Sequence, residues 1–301
     1  MNFKSIFNLL GILLSLFSLS FVPPMIVALI YGEGVIVSFL YPFLFLLCLG
    51  GGSWYLTRQA SLSLNISDGF IITTLFWVVL AFAGCLPFYF FGFSLGDSLF
   101  ESVSGITTTG ATTLVGLDEM PKSILIYRQL LQWIGGMGLI VLAVAVMPAL
   151  GIGGGQLYKM ELPGSHGDQR LTPRITHSAR ALWKIYVGLT VACILLYFIS
   201  GMSLFDAAAH GLSTVAGGGF STYDDSIGYF NSSAVEIICI LFMLLSAASF
   251  AVHYAAIFGG KPLKYFYDHE FRFFLSVVFL IAFICFIFLS FGGQHQGIWD
   301  T

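Results

Sequence analysis

Charge is scarce in this chain. Only 9% of its 301 residues are Asp, Glu, Lys or Arg, against about 25% in soluble domains. With 57% hydrophobic residues, this excludes an ordinary soluble protein and places the chain in a membrane. The net charge of −3 provides no basic footprint, so a nucleic-acid partner is not expected. Cysteine is sparse too. Cys48, Cys85, Cys193, Cys239 and Cys285 form no CxxC or metal-ligand spacing, and they read as small buried apolar residues. Catalytic constellations are missing: no Ser–His–Asp set or carboxylate pair shares an element. The glycine-rich run Gly151–Gly155 lacks the Gly-Lys-Ser/Thr of a phosphate loop and reads as a helix stop and linker. His210 and His253 stand alone and read as packing residues. The expectation is a protein that is not an enzyme and carries no organic cofactor.

Long hydrophobic runs are what the chain has instead. A bilayer-spanning helix needs about 20 mostly apolar residues. Candidate spans fall at 5–31, 35–57, 68–92, 123–149, 178–200, 233–258 and 271–291. The first begins after Lys4 like a signal peptide but shows no small-x-small cleavage site, so it reads as a retained helix. Two further segments, 97–107 and 204–215, are too short to cross. They read as half-helices that descend and stop.

Charge orients these spans. With the N-terminus inside, Lys4, Arg58, Lys159, Arg170, Arg174, Arg180, Lys184, Lys261, Lys264 and Arg272 are cytoplasmic, ten of the twelve basic residues. Asn65-Ile-Ser67 then lies inside and is no glycosylation site. Arg170, Arg174, Arg180 and Lys184 fit contact with anionic lipid or a cytoplasmic partner, or plain topology charge. Acidic residues collect outside, among them Glu33, Asp97, Glu101, Asp118, Glu119, Asp206, Asp224 and Asp225. An acidic vestibule there would concentrate cations. Arg128, just inside the fourth span, is expected to pair with Asp118 or Glu119, or else to bind loop backbone.

Each half-helix runs into a polar, glycine-bearing loop: Ser104-Gly-Ile-Thr-Thr-Thr-Gly-Ala-Thr112 and Gly211-Leu-Ser-Thr-Val-Ala-Gly-Gly-Gly-Phe-Ser221. Non-helical backbone survives at membrane depth only inside protein or along a water-filled cavity. Carbonyls in such loops can replace the hydration shell of a cation, and the half-helix C-termini favour positive charge. Segments 68–149 and 178–258 share the order span, half-helix, loop, span. Ser98-Leu-Phe-Glu101 answers to Ser203-Leu-Phe-Asp206, an offset of 105, and Gly110-Ala-Thr-Thr113 answers to Gly219-Phe-Ser-Thr222, an offset of 109. Four extra residues are therefore expected within the second repeat. Same-orientation repeats imply a pseudo-symmetry axis along the membrane normal. Unusual φ/ψ is expected at Gly110 and at Gly218 or Gly219.

Phe100-Glu-Ser-Val-Ser-Gly-Ile-Thr-Thr-Thr-Gly-Ala-Thr112 resembles the first filter of the Trk/Ktr/HKT superfamily of potassium transporters. Arg128-Gln-Leu-Leu-Gln-Trp-Ile-Gly-Gly-Met-Gly138 resembles the start of the helix that follows, and is the most specific match. Leu171-Thr-Pro-Arg174, Thr214–Thr222 and Asp224-Asp-Ser-Ile-Gly-Tyr-Phe230 extend the likeness over nearly the whole chain, closest to the TrkH branch with its two extra N-terminal helices. The resemblance implies an all-α integral membrane fold. Two N-terminal helices precede helix–pore loop–helix repeats of a four-repeat pore, here two complete and a third begun. The implied divisions are a two-helix extension (1–60), first repeat (61–150), cytoplasmic linker (151–175), second repeat (176–260) and start of a third (261–301). It implies potassium uptake across the bacterial inner membrane. The expected partners are membrane lipid, a second copy in a homodimer and a TrkA-like cytoplasmic nucleotide-binding subunit.

The filter residues so implied are Thr107, Thr108, Thr109, Gly110 and Ala111 in the first loop and Ala216, Gly217, Gly218, Gly219 and Phe220 in the second. Potassium is expected on Thr108, Thr109, Gly217 and Gly218. Glycine at position 110 goes with potassium in this family, whereas serine there goes with sodium in some plant members. Relatives usually carry an apolar residue where this chain has Gly217. The third-repeat gating loop and fourth-repeat arginine of the family have no counterpart in these residues, so the 301 residues read as part of a longer protein or a truncated reading frame. The competing readings are a sodium- or ammonium-passing relative and a non-conducting assembly element.

Overall fold

A computed structural model describes residues 3–59, 66–146, 172–257, 259–260 and 263–291. The expected all-helical architecture is present, and no strand occurs among the described residues. Among the described residues, five helical stretches are long and apolar enough to cross a membrane: Phe3–Tyr31, Val37–Thr57, Asp68–Phe91, Leu182–Ile199 and His269–Ser290. Residues 151–171 of the expected linker, Asn65 and Arg170 lie outside the described residues, whereas the last part of that linker, 172–175, already belongs to a helix.

The chain divides into two compact units, with the boundary between Ala247 and Ala248. In the first unit, helices α1 (Phe3–Ser18) and α2 (Val22–Tyr31) make one stretch joined by a 3₁₀ turn at Leu19–Phe21. The turn falls where Pro23 and Pro24 begin the next helix, positions at which a missing N–H costs nothing. Helix α3 (Val37–Thr57) returns against α1. Small residues permit close contact, since a Cβ on Gly50 would stand 2.7 Å from the Gly11 carbonyl oxygen. The Ser53 hydroxyl donates to the Phe7 carbonyl (2.9 Å).

Helices α4 (Ile66–Phe91), α5 (Leu95–Ile106) and α6 (Lys122–Val146) follow. Next come α7 (Thr172–Ile199), α8 (Leu204–Ala216) and α9 (Ser233–Ala247). The half-helices α5 and α8 have 12 and 13 residues, or about 18–20 Å at 1.5 Å per residue, too short to cross. Helix α6 packs on α5 within its own repeat and on α7 and α8 of the next. Trp133 anchors the second contact: its indole N–H donates to Thr190 (3.0 Å), and its carbonyl accepts from the Tyr186 hydroxyl (3.0 Å).

The second unit holds α10 (Phe250–Ile257), α11 (Lys264–Tyr267) and α12 (His269–Phe291). Asp268 caps α12 by accepting from the Phe271 N–H (3.0 Å). The sixth span, expected as one helix over 233–258, is instead interrupted between Ala247 and Phe250. Ser246 turns its hydroxyl back to the Met243 carbonyl (2.9 Å), and the Ser249 carbonyl receives the Val252 and His253 N–H groups of α10 (3.0 and 3.3 Å). Side chains of this kind offer the backbone partners that compete with helix continuation.

Candidate ion-selectivity filter

Serine begins each half-helix in the same way. Ser94 accepts from the Asp97 N–H and donates to its carboxylate (3.1 and 2.6 Å); Ser203 does so with Asp206 (3.1 and 2.7 Å). These caps stand 109 residues apart. The same offset continues through the helices. Ser104 donates to the Ala111 carbonyl (2.6 Å) and Ser213 to the Phe220 carbonyl (2.8 Å). The Thr109 N–H reaches the Ser104 carbonyl (2.9 Å) and the Gly218 N–H the Ser213 carbonyl (3.0 Å). Positive φ occurs at Thr108 and Gly217 (54° and 70°) and again at Gly110 and Gly219 (78° and 80°).

This corrects the sequence-based register. Ser203-Leu-Phe-Asp206 corresponds to Ser94-Leu-Gly-Asp97, not to Ser98-Leu-Phe-Glu101, and no four-residue excess exists. The cap decides the alignment, and Ser98 lies one turn inside α5.

Both half-helices therefore end in a Schellman turn, with a left-handed residue closing the last carbonyls. In the second loop that residue is Gly217. In the first it is Thr108, a β-branched residue in a conformation such side chains rarely adopt. The N–H groups of Thr107, Thr108 and Thr109 turn back to α5, and those of Gly217 and Gly218 turn back to α8. Among the described residues, no hydrogen bond takes up the carbonyls of Thr107 to Gly110 or of Gly217 to Gly219. By contrast, the Ala111 and Phe220 carbonyls are held by Ser104 and Ser213. Thr107 and Thr109 share a hydroxyl–hydroxyl bond of 2.7 Å. Phe220 is buried, its ring 4.3 Å from the Arg128 guanidinium. Ala216 closes α8.

The two loops touch. A Cβ on Gly110 would fall 1.8 Å from the Gly218 carbonyl oxygen. A cavity of about 200 Å³ lies among α8, the second loop and α9, with Gly217, Gly219, Thr214 and Met243 in its wall.

Arg128 joins the loops from behind. Its Nε pairs with Glu101 (3.0 Å), one terminal nitrogen donates to Thr112 (3.0 Å) and the other to the Ser221 carbonyl (3.0 Å). Both charged side chains are fully buried. Glu101 also accepts from the Thr112 hydroxyl and from the Thr113 N–H. The expected pairing of Arg128 with Asp118 or Glu119 is thus replaced by Glu101, with loop backbone as a further partner. Burial demands a compact, fully bonded partner, which loop-borne Asp118 and Glu119 do not supply.

The acidic vestibule needs the same revision. Glu101 is buried, and the Asp206 carboxylate accepts from Thr222 (3.1 Å) and the Tyr223 hydroxyl (3.2 Å). Burial, and then the Asp206 charge beside it, push the Tyr223 phenol up. Glu33 receives the Lys122 and Ser123 N–H groups at the start of α6 (2.6 and 3.1 Å). Asp224 receives those of Gly116 and Leu117 (2.8 and 3.0 Å). These carboxylates hold backbone N–H and hydroxyl groups of neighbouring segments; Asp118, Glu119 and Asp225 are exposed.

His210 packs as expected: buried, with its ring nitrogens against the Asp206 carbonyl (2.9 Å) and Ser221 (3.0 Å). Sequence reasoning missed Ser104, Ser213 and Gln132. The serines become visible once the offset of 109 is applied throughout. The available signal for Gln132 is a cluster of polar side chains, Arg128, Gln129 and Gln132, in a largely apolar helix.

Residues 36–293 match the family TrkH, cation transport protein. The chain belongs to that family. It is 49% identical over 294 residues to the Trk system potassium uptake protein TrkH of Vibrio parahaemolyticus, covering 96% of this chain and 61% of that protein. It is 47% identical over 299 residues to TrkH of Escherichia coli K12, covering 98% of this chain and 62% of that one. The crystal structure of the potassium transporter TrkH from Vibrio parahaemolyticus superposes with a TM-score of 0.87 at 46% identity, over 100% of this chain and 62% of that chain. This TrkH-family chain thus spans about three fifths of the length of the relatives it matches.

Proposed function

We propose that this chain forms part of the pore of a Trk-type potassium uptake system in the bacterial inner membrane, with its N-terminus cytoplasmic. The observation that carries this reading is the pair of touching loops, related by one constant offset, whose carbonyls from Thr107 to Gly110 and Gly217 to Gly219 accept no bond among the described residues. A narrow passage lined by backbone oxygens replaces a cation's water shell. Potassium is transported rather than resident, with Thr108, Thr109, Gly217 and Gly218 its expected contacts. The similar proteins are named as potassium uptake proteins of a Trk system, which also favours further subunits. A homodimer with a TrkA-like nucleotide-binding partner is the assembly we infer. In this reading 1–60 is the extension, 61–150 and 176–260 are the repeats, 151–175 is the linker and 261–301 opens a third repeat.

Growth at limiting potassium tests the proposal, in a strain lacking its own uptake systems. The intact protein should restore growth and the Gly110→Asp variant should not. Rescue that persists with Gly110→Asp overturns the filter assignment.

A further inference from the structure

Gln132 lies on α6 one turn after Arg128 and is fully buried. It bonds to the second loop and stands beside the first. Its Oε1 accepts from the Phe220 N–H (3.1 Å), which fixes which end of the amide faces the second loop. The amide lies flat against Gly218, where an added Cβ would fall 2.3–2.6 Å from its carbon, nitrogen and oxygen. Its Nε2 stands 3.7 Å from the position of a Cβ on Gly110. That nitrogen has no hydrogen-bond partner among the described residues. Gly218 in turn presents its carbonyl oxygen to Gly110. One side chain therefore holds the second loop by its oxygen and aims an unused donor at the place where the two loops meet.

We propose that Gln132 is a specificity-determining residue that sets cation preference from behind the filter. The inference rests on the reading of these loops as a potassium filter. Two effects act together. The bond to Phe220 fixes the Gly219–Phe220 peptide, and contact with Gly218 fixes how closely the second loop approaches the first, hence the spacing of the carbonyls. The neutral amide donor also stands beside Gly110, at the approach of the Gly218 carbonyl oxygen. A carboxylate in the same place would raise the negative field there and favour a smaller, more strongly hydrated cation such as sodium. Arg128 packs on the Phe220 ring, but its hydrogen bonds go to Glu101, Thr112 and Ser221 and leave the Gly110–Gly218 contact to Gln132.

The test is uptake of rubidium and sodium by the complete protein in proteoliposomes, wild type against Gln132→Glu and Gln132→Asn, each confirmed monodisperse. Gln132→Glu keeps an acceptor for Phe220 and removes the donor; Gln132→Asn is one methylene too short to hold both contacts. The rubidium-to-sodium ratio should fall about tenfold in Gln132→Glu, the worth of one buried polar interaction, and should also fall in Gln132→Asn. A folded variant with lower flux in both ions but an unchanged ratio makes Gln132 ordinary packing and overturns the inference, while the filter reading stands. If Gln132→Glu gives no folded protein, the ratio in Gln132→Asn decides. A wild type that does not prefer rubidium overturns both readings.

Discussion

Arg128 Nε lies 3.0 Å from Glu101 Oε2, with both side chains wholly withdrawn from solvent. The pair joins α6 to the first half-helix, and through Ser221 to the second loop. Removing one partner leaves an uncompensated buried charge. Arg128→Met and Glu101→Leu should each cost about 3–5 kcal/mol, and the double variant less than their sum. Unfolding midpoints in detergent measure this; additive losses would show the two side chains act independently.

Gly110 and Gly116 both have positive φ, 78° and 74°, but different surroundings. A Cβ at 110 strikes the Gly218 carbonyl, whereas one at 116 meets nothing within 4 Å. Gly110→Ala should abolish discrimination between rubidium and sodium. Gly116→Ala should cost only about 1 kcal/mol of stability, the ordinary strain of a left-handed residue, and leave the uptake ratio intact.

The α5–α6 contact predicts a second contrast. A Cβ on Gly135 would fall 2.0 Å from the Ile106 carbonyl oxygen, while one on Gly188 in α7 meets open space. Gly135→Ala should lose most of the folded protein in a fluorescence size-exclusion assay. Gly188→Ala should stabilise by about 1 kcal/mol through helix propensity alone.

Equivalent serines should behave alike. Ser104→Ala and Ser213→Ala each remove the hydroxyl that holds a loop carbonyl (2.6 and 2.8 Å). Each should lower stability by about 1 kcal/mol and weaken potassium protection against thermal unfolding to a similar degree. A large effect at one position and none at the other would break the proposed equivalence.

Much of the architecture is legible from hydrophobic length, and the half-helices from being too short. Two failures have physical causes. Ser98-Leu-Phe-Glu101 copies the opening of the second half-helix in letters, but capping is decided by which serine meets an N–H three residues on, and that is Ser94. Glu101 reads as an outer charge because sequence distance from Arg128 hides that α5 and α6 fold back on each other. The break after Ala247 is also illegible, since apolar residues continue through it and only local serine bonding marks it. The glycines and threonines of the loops are visible as residues; the direction in which each carbonyl turns is not.

If the two loops hold potassium between them, a heavier ion of the same size and charge should settle there. Thallium, which mimics potassium and scatters anomalously, tests it most directly in crystals of the complete protein. An anomalous peak should stand among the carbonyl oxygens of Thr108, Thr109, Gly217 and Gly218, displaced by potassium and not by sodium. A peak elsewhere with none between these loops, or one that sodium removes equally well, would contradict it.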